Sequence, residues 1–134
     1  MDQPISRAVK MTFVVHAIEG FFTGIVLLLF PTVLGNWINW DMSDAAYRIV
    51  GAAVLGCALS SWLASGAKSW RDVKILVQAK VVWMTIGAIV LLWAALAGAV
   101  PAFAWLFLAV FALFAGAFGY WMIEYSRAEA LQPA

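Results

Sequence analysis

The residues with chemistry to offer sit where chemistry is expensive. Thr12, His16, Glu19 and Thr23 follow spacings of four, three and four, which places them on one face of a helix inside an otherwise apolar run. Glu19 lies eight residues into that run, ~12 Å along a helix axis. A carboxylate at that depth must find a partner, water or a proton. In the third apolar run, Lys80 lies seven residues in, ~10 Å by the same rise, with Gln78 and Thr85 on either side. The depths allow Glu19 and Lys80 to pair, with His16 and Gln78 on their cytoplasmic side and Thr85 near the level of Thr23, so the expected site is a polar pocket in the cytoplasmic half. Cys57, Ser60, Ser61 and Tyr120 fall at comparable depths on the intervening helices. Arg48 is too far along its helix to reach Glu19; Asp44 or Asp41 is nearer.

His16, Glu19, Thr23, Gln78, Lys80 and Thr85 are therefore the candidate ligand-binding or proton-binding residues. In one reading Glu19 and Lys80 form a buried bridge that fixes helix register, with His16 hydrogen-bonded and inert. In the other the cluster binds a headgroup, a small molecule or a proton, with Glu19 as acceptor and His16 able to titrate near neutrality. His16 is the only histidine, so one chain cannot supply a two-histidine haem site or a histidine metal triad. His16 is equally the only histidine that could serve as an axial ligand, to a haem or a chlorin. His16 and Glu19 alone are too few for a metal site, and no metal is expected. No glycine-rich phosphate loop or GxSxG elbow occurs, so no catalytic residue is assigned. Cys57 sits among small apolar residues and is expected to pack rather than react; a lone cysteine also excludes an intramolecular disulfide.

The elements that must position these residues follow from composition. Of 134 residues 66% are hydrophobic and 11% charged, with a mean hydropathy of +0.96, whereas a soluble domain is about a quarter charged. The solvent is lipid. A net charge of +1 offers no basic face for nucleic acid. Four runs reach the ~20 apolar residues that a bilayer crossing needs: 11–34, 45–64, 73–96 and 101–123. Pro31 and Gly35 are expected to close the first helix, Ser43 and Asp44 to cap the second, Ser69 and Asp72 to form a capping box on the third, and Pro101 to open the fourth. The tail from Ser126 is expected to fray. Seven of the eight lysines and arginines lie before the first helix, around the connection between second and third, or after the fourth. The excess places both termini in the cytoplasm. The first apolar run is too long for a cleavable signal and is expected to stay attached. The expectation is an all-α chain: a single-domain antiparallel bundle of four transmembrane helices in the cytoplasmic (inner) membrane.

Small residues are expected to bring the helices together, because lipid supplies no hydrophobic drive between them. Gly20 and Gly24 form a GxxxG; Ala52, Gly56 and Ser60, and Ala112, Gly116 and Tyr120, draw similar lines. These lines suit packing within the chain or a homo-oligomer. Phe103, Phe107, Phe111, Phe114 and Phe118 share a face that is expected to meet lipid or a partner, or to form a platform for a quinone or other flat cofactor. Trp37, Trp40, Trp70, Trp105 and Trp121, near helix ends, are expected to anchor in the headgroup belts.

The chain resembles the small DoxX-like four-helix membrane proteins, through the early GxxxG running into Leu27–Pro31 (LLLFP), the stretch Arg48–Leu59 (RIVGAAVLGCAL) and the charged connection before the third helix. The resemblance covers most of the chain and carries no catalytic residues. Some members of that group are associated with quinone-linked redox complexes. The expectation is a non-enzymatic membrane protein that is an accessory subunit of a membrane complex or a binder of a lipid-like small molecule through the polar cluster. Alternatives are a small proton-coupled transporter and a pigment-, haem- or quinone-binding subunit.

Overall fold

The computed structural model describes residues 3–131, which form five helices and no strand beyond one isolated bridge. These are α1 (Arg7–Leu29), α2 (Pro31–Ile38), α3 (Asp44–Ser65), α4 (Trp70–Leu96) and α5 (Ala104–Ala130). All except α2 are long and apolar enough to cross a membrane.

The expected caps at Ser43 and at Ser69 with Asp72 form, and Ser6 adds one on α1, but Pro101 does not open the last helix, which begins at Ala104. Ser6 and Ser43 accept hydrogen bonds from Val9 N–H and Ala46 N–H, and the Asp72 carboxylate accepts one from Ser69 N–H. Each such cap satisfies an otherwise orphaned helix N–H and contributes ~1 kcal/mol. The expected first helix over 11–34 is corrected. It breaks at Phe30, and Pro31 begins α2 because proline lacks the N–H that a continuing ladder requires but suits a first turn. Gly35 does not terminate anything. It lies within α2, and its missing side chain makes room for Tyr47, while Asn39 turns the chain with a left-handed φ of 53°. The frayed tail is corrected as far as Ala130, where α5 ends, and Glu129 accepts from Lys74 Nζ at 2.6 Å; residues 132–134 lie outside the described residues.

The helices pack as two close pairs, α1 with α3 and α4 with α5, which touch each other sparingly. Within the first pair a methyl group at Gly20 would stand 3.0 Å from Ala58 Cβ, and one at Gly24 would stand 2.7 Å from Leu55 Cγ. The GxxxG thus permits close backbone approach. The two other small-residue lines do not pack. Gly56 and Gly116 face open space, and Ala52, Ala112 and Tyr120 are exposed; Gly51, Ala58 and Ser61 form the packing face of α3 instead.

The two pairs meet through a filled core at one end only. Val9, Phe13, Trp70, Val73, Val77 and Phe118 are almost wholly buried there. Residues 3–6 close this end: Trp70 N–H donates to Gln3 O at 2.8 Å, Ile5 N–H to Lys68 O at 3.3 Å, and Ser6 N–H to Tyr125 Oη at 2.9 Å. Trp70, expected to anchor in a headgroup belt, is buried in the core instead, while Trp121 is half-buried. Trp70 is 1% exposed and stacks on Tyr125 at 4.4 Å, and Trp121 Nε1 donates to Thr12 Oγ1 at 3.0 Å.

Candidate functional site

Beyond the filled core the two helix pairs separate around a cavity of about 590 Å³. It follows α1 from His16 to Leu27, ~16 Å of helix, and all four long helices line it, with Ile38, Trp40 and Met42 at its far end. Aliphatic and aromatic side chains make up most of the wall. Among lining residues, the exposed ones, including Ile49, Val50, Trp83, Ile86 and Val90, belong to α3 and α4, so the cavity opens between those two helices.

Polar groups gather at the end nearest the core. His16 is 2% exposed, and its Nδ1 lies 2.9 Å from the hydroxyl of Ser61, which is fully buried. Phe114 and Phe118 meet the imidazole nearly at right angles, with centroids 4.7 and 5.6 Å away. This orientation suits the quadrupole of each ring and fixes the imidazole plane. Glu19, one turn further along α1, is half-buried and accepts a hydrogen bond from Thr23 Oγ1 at 2.8 Å. Lys80 is 4% exposed, and its Nζ donates to Cys57 O at 3.1 Å and Ser60 Oγ at 3.4 Å, with the Phe118 centroid at 5.8 Å.

The expected Glu19–Lys80 pair does not form. Lys80 Nζ turns to the carbonyl of Cys57 on α3, and the Glu19 carboxylate is taken by its own helix neighbour. Among the described residues no carboxylate forms an ion pair with Lys80. Arg48 pairs with Asp44 at 3.2 Å and donates to Leu28 O at 2.7 Å.

His16, Glu19 and Thr23 line the cavity together, and Cys57 joins them from α3. Gln78 and Thr85 do not; both are exposed on the outer side of α4. Depth along a helix says nothing of rotation, and the 100° step between successive residues turns them outward. Tyr120 is likewise exposed.

The phenylalanine face of α5 points inward rather than to lipid. Phe114 and Phe118 enclose His16, Phe111 and Phe107 line the cavity, and Phe103 and Phe107 meet Trp37 and Trp40. Ring packing across helices orders this face. Sequence inspection missed Gly87, whose bare backbone admits the Phe111 ring into contact and seats α4 against α5. A lone glycine in an apolar helix carried that signal.

Comparison with known proteins names no relative. No protein-family model, curated protein or solved structure matches this chain. The functional reading therefore rests on the geometry of the cavity and the cluster that closes it.

Proposed function

We propose that this chain is a non-enzymatic membrane protein that binds a lipid-like small molecule in the cavity between its two helix pairs. The observation that carries the reading is the cavity itself. Its volume of about 590 Å³ falls within the ~300–1,000 Å³ of ligand pockets. Interiors are otherwise packed like organic crystals, so a hollow of this size leaves room for an occupant that the chain's own side chains do not supply. Its opening between α3 and α4 is walled by apolar residues, which suits access from the bilayer rather than from water.

The arrangement proposed is an antiparallel bundle with both termini in the cytoplasm. Antiparallel packing is supported by Gly20 lying against Ala58 and Gly24 against Leu55, and by Trp70 meeting Tyr125 while Gly87 meets Phe111. The cytoplasmic termini follow from the lysine and arginine excess at one end. In that orientation the filled core is cytoplasmic, and the cavity runs outward from the polar cluster instead of lying in the cytoplasmic half as expected from the sequence. The resemblance to small DoxX-like membrane proteins is in keeping with this reading.

Native mass spectrometry of the protein, extracted from membranes in mild detergent, tests it. A discrete apolar adduct is expected on the wild type and absent from Ala53→Trp, which fills the cavity mouth. Wild-type protein that stays bare after incubation with bilayer lipid extract would overturn the reading.

A further inference from the structure

The cavity taken as a ligand site also constrains the ligand's polar end, and the inference that follows rests on that reading. Ser61 is fully buried, and its hydroxyl meets one hydrogen-bond partner, His16 Nδ1. A buried hydroxyl proton without an acceptor destabilises the fold. The arrangement that gives this proton an acceptor has Ser61 O–H donating to an unprotonated Nδ1, which leaves the ring proton on Nε2. Nε2 has no hydrogen-bond partner among the described residues, although His16 is 2% exposed and lines the cavity.

Glu19 stands three residues along the same helix face, where side chains are neighbours. Its Oε1 accepts from Thr23, and Oε2 has no partner among the described residues. Thr23 is committed to Glu19, and at the far end the Tyr47 hydroxyl donates to Trp40 O at 2.5 Å. On the α1 side the near end of the cavity therefore offers one donor, His16 Nε2–H, and one acceptor, Glu19 Oε2, with the Cys57 thiol of α3 as a further, weak donor.

We propose that the ligand is an apolar chain ending in an uncharged hydroxyl, a long-chain or isoprenoid alcohol. Its oxygen accepts from His16 Nε2–H, and its proton goes to Glu19. A hydroxyl satisfies both groups from one atom. A carboxylate brings Glu19 lone pairs without a proton, an ammonium pairs with Glu19 but leaves His16 Nε2–H facing another donor, and a hydrocarbon leaves both groups unpaired.

Four probes that share one chain separate these heads: farnesol, farnesoic acid, farnesylamine and farnesene. Each is titrated against the purified full chain in detergent and followed by native mass spectrometry. Farnesol is expected to bind about ten-fold more tightly than the other three, the worth of one to two net hydrogen bonds. Glu19→Leu and the double variant His16→Phe/Ser61→Ala, which leaves no orphaned serine, are expected to reduce farnesol to the affinity of farnesene. Undiminished farnesene binding by these variants reports an intact cavity. Equal wild-type affinity for all four probes, or tighter binding of the acid or amine, overturns the head-group assignment and leaves the apolar site standing. Failure of all four to bind removes both.

Discussion

The His16 ring and the Ser61 hydroxyl meet at 2.9 Å between α1 and α3, where the filled half of the bundle gives way to the cavity. The pair closes the cavity floor, and Phe114 and Phe118 hold the imidazole from the α5 side.

Because each member satisfies the other, the pair should be strongly coupled. Ser61→Ala alone leaves Nδ1 unpaired and is expected to destabilise the fold by about 1–3 kcal/mol. His16→Phe alone orphans the serine and should cost a similar amount. The double variant should be more stable than the sum predicts, by about 1 kcal/mol or more. Denaturation of the four proteins in mixed micelles measures the coupling, and strict additivity would show that the hydrogen bond contributes nothing.

Lys80 is buried with carbonyl and hydroxyl partners and, among the described residues, no paired carboxylate. Its desolvation is only partly offset. Lys80→Met keeps the length of the side chain and removes the charge, so the variant is expected to match or exceed wild-type stability, by up to about 1–4 kcal/mol. Thermal unfolding in detergent checks this. A clear loss of stability would mean that the ammonium holds α4 to α3 more strongly than its two hydrogen bonds indicate.

The glycines divide by what lies beside them. A methyl group at Gly24 would press on Leu55 and on the Gly51 carbonyl, and one at Gly87 would enter the Phe111 ring. Alanine at either site is expected to destabilise by about 1–3 kcal/mol through overpacking. Gly56 and Gly116 meet nothing, and alanine there is expected to be neutral or to stabilise by up to about 1 kcal/mol through helix propensity. Thermal unfolding of the four variants in one detergent gives the ranking; the reverse order would refute the packing of both helix pairs.

Cys57 lines the cavity and is the only cysteine, which makes it a clean reporter. A membrane-permeant reagent such as N-ethylmaleimide is expected to label it, while a charged, impermeant maleimide should react far more slowly in intact membranes. Farnesol in excess is expected to slow N-ethylmaleimide labelling several-fold. Mass spectrometry of the intact chain follows the reaction, and labelling indifferent to farnesol would place the alcohol outside the cavity.

Much of this molecule is written in local sequence. Four long apolar runs require four long helices, because a backbone in lipid must bond to itself. Ser43, Ser69 with Asp72, and Gly20 with Gly24 act through neighbours a turn away or through the absence of a side chain, so their roles are readable from spacing. The stripe of His16, Glu19 and Thr23 is legible for the same reason, since one helix fixes their shared face. What spacing cannot give is the rotation of one helix against another. That rotation turned Gln78 and Thr85 outward, drew Lys80 to the Cys57 carbonyl instead of Glu19, and folded the phenylalanines of α5 in around His16. The hollow between the helix pairs is likewise a tertiary fact. It arises because each pair packs tightly within itself, through Gly24 on one side and Gly87 on the other, and the side chains left between the pairs do not fill the space.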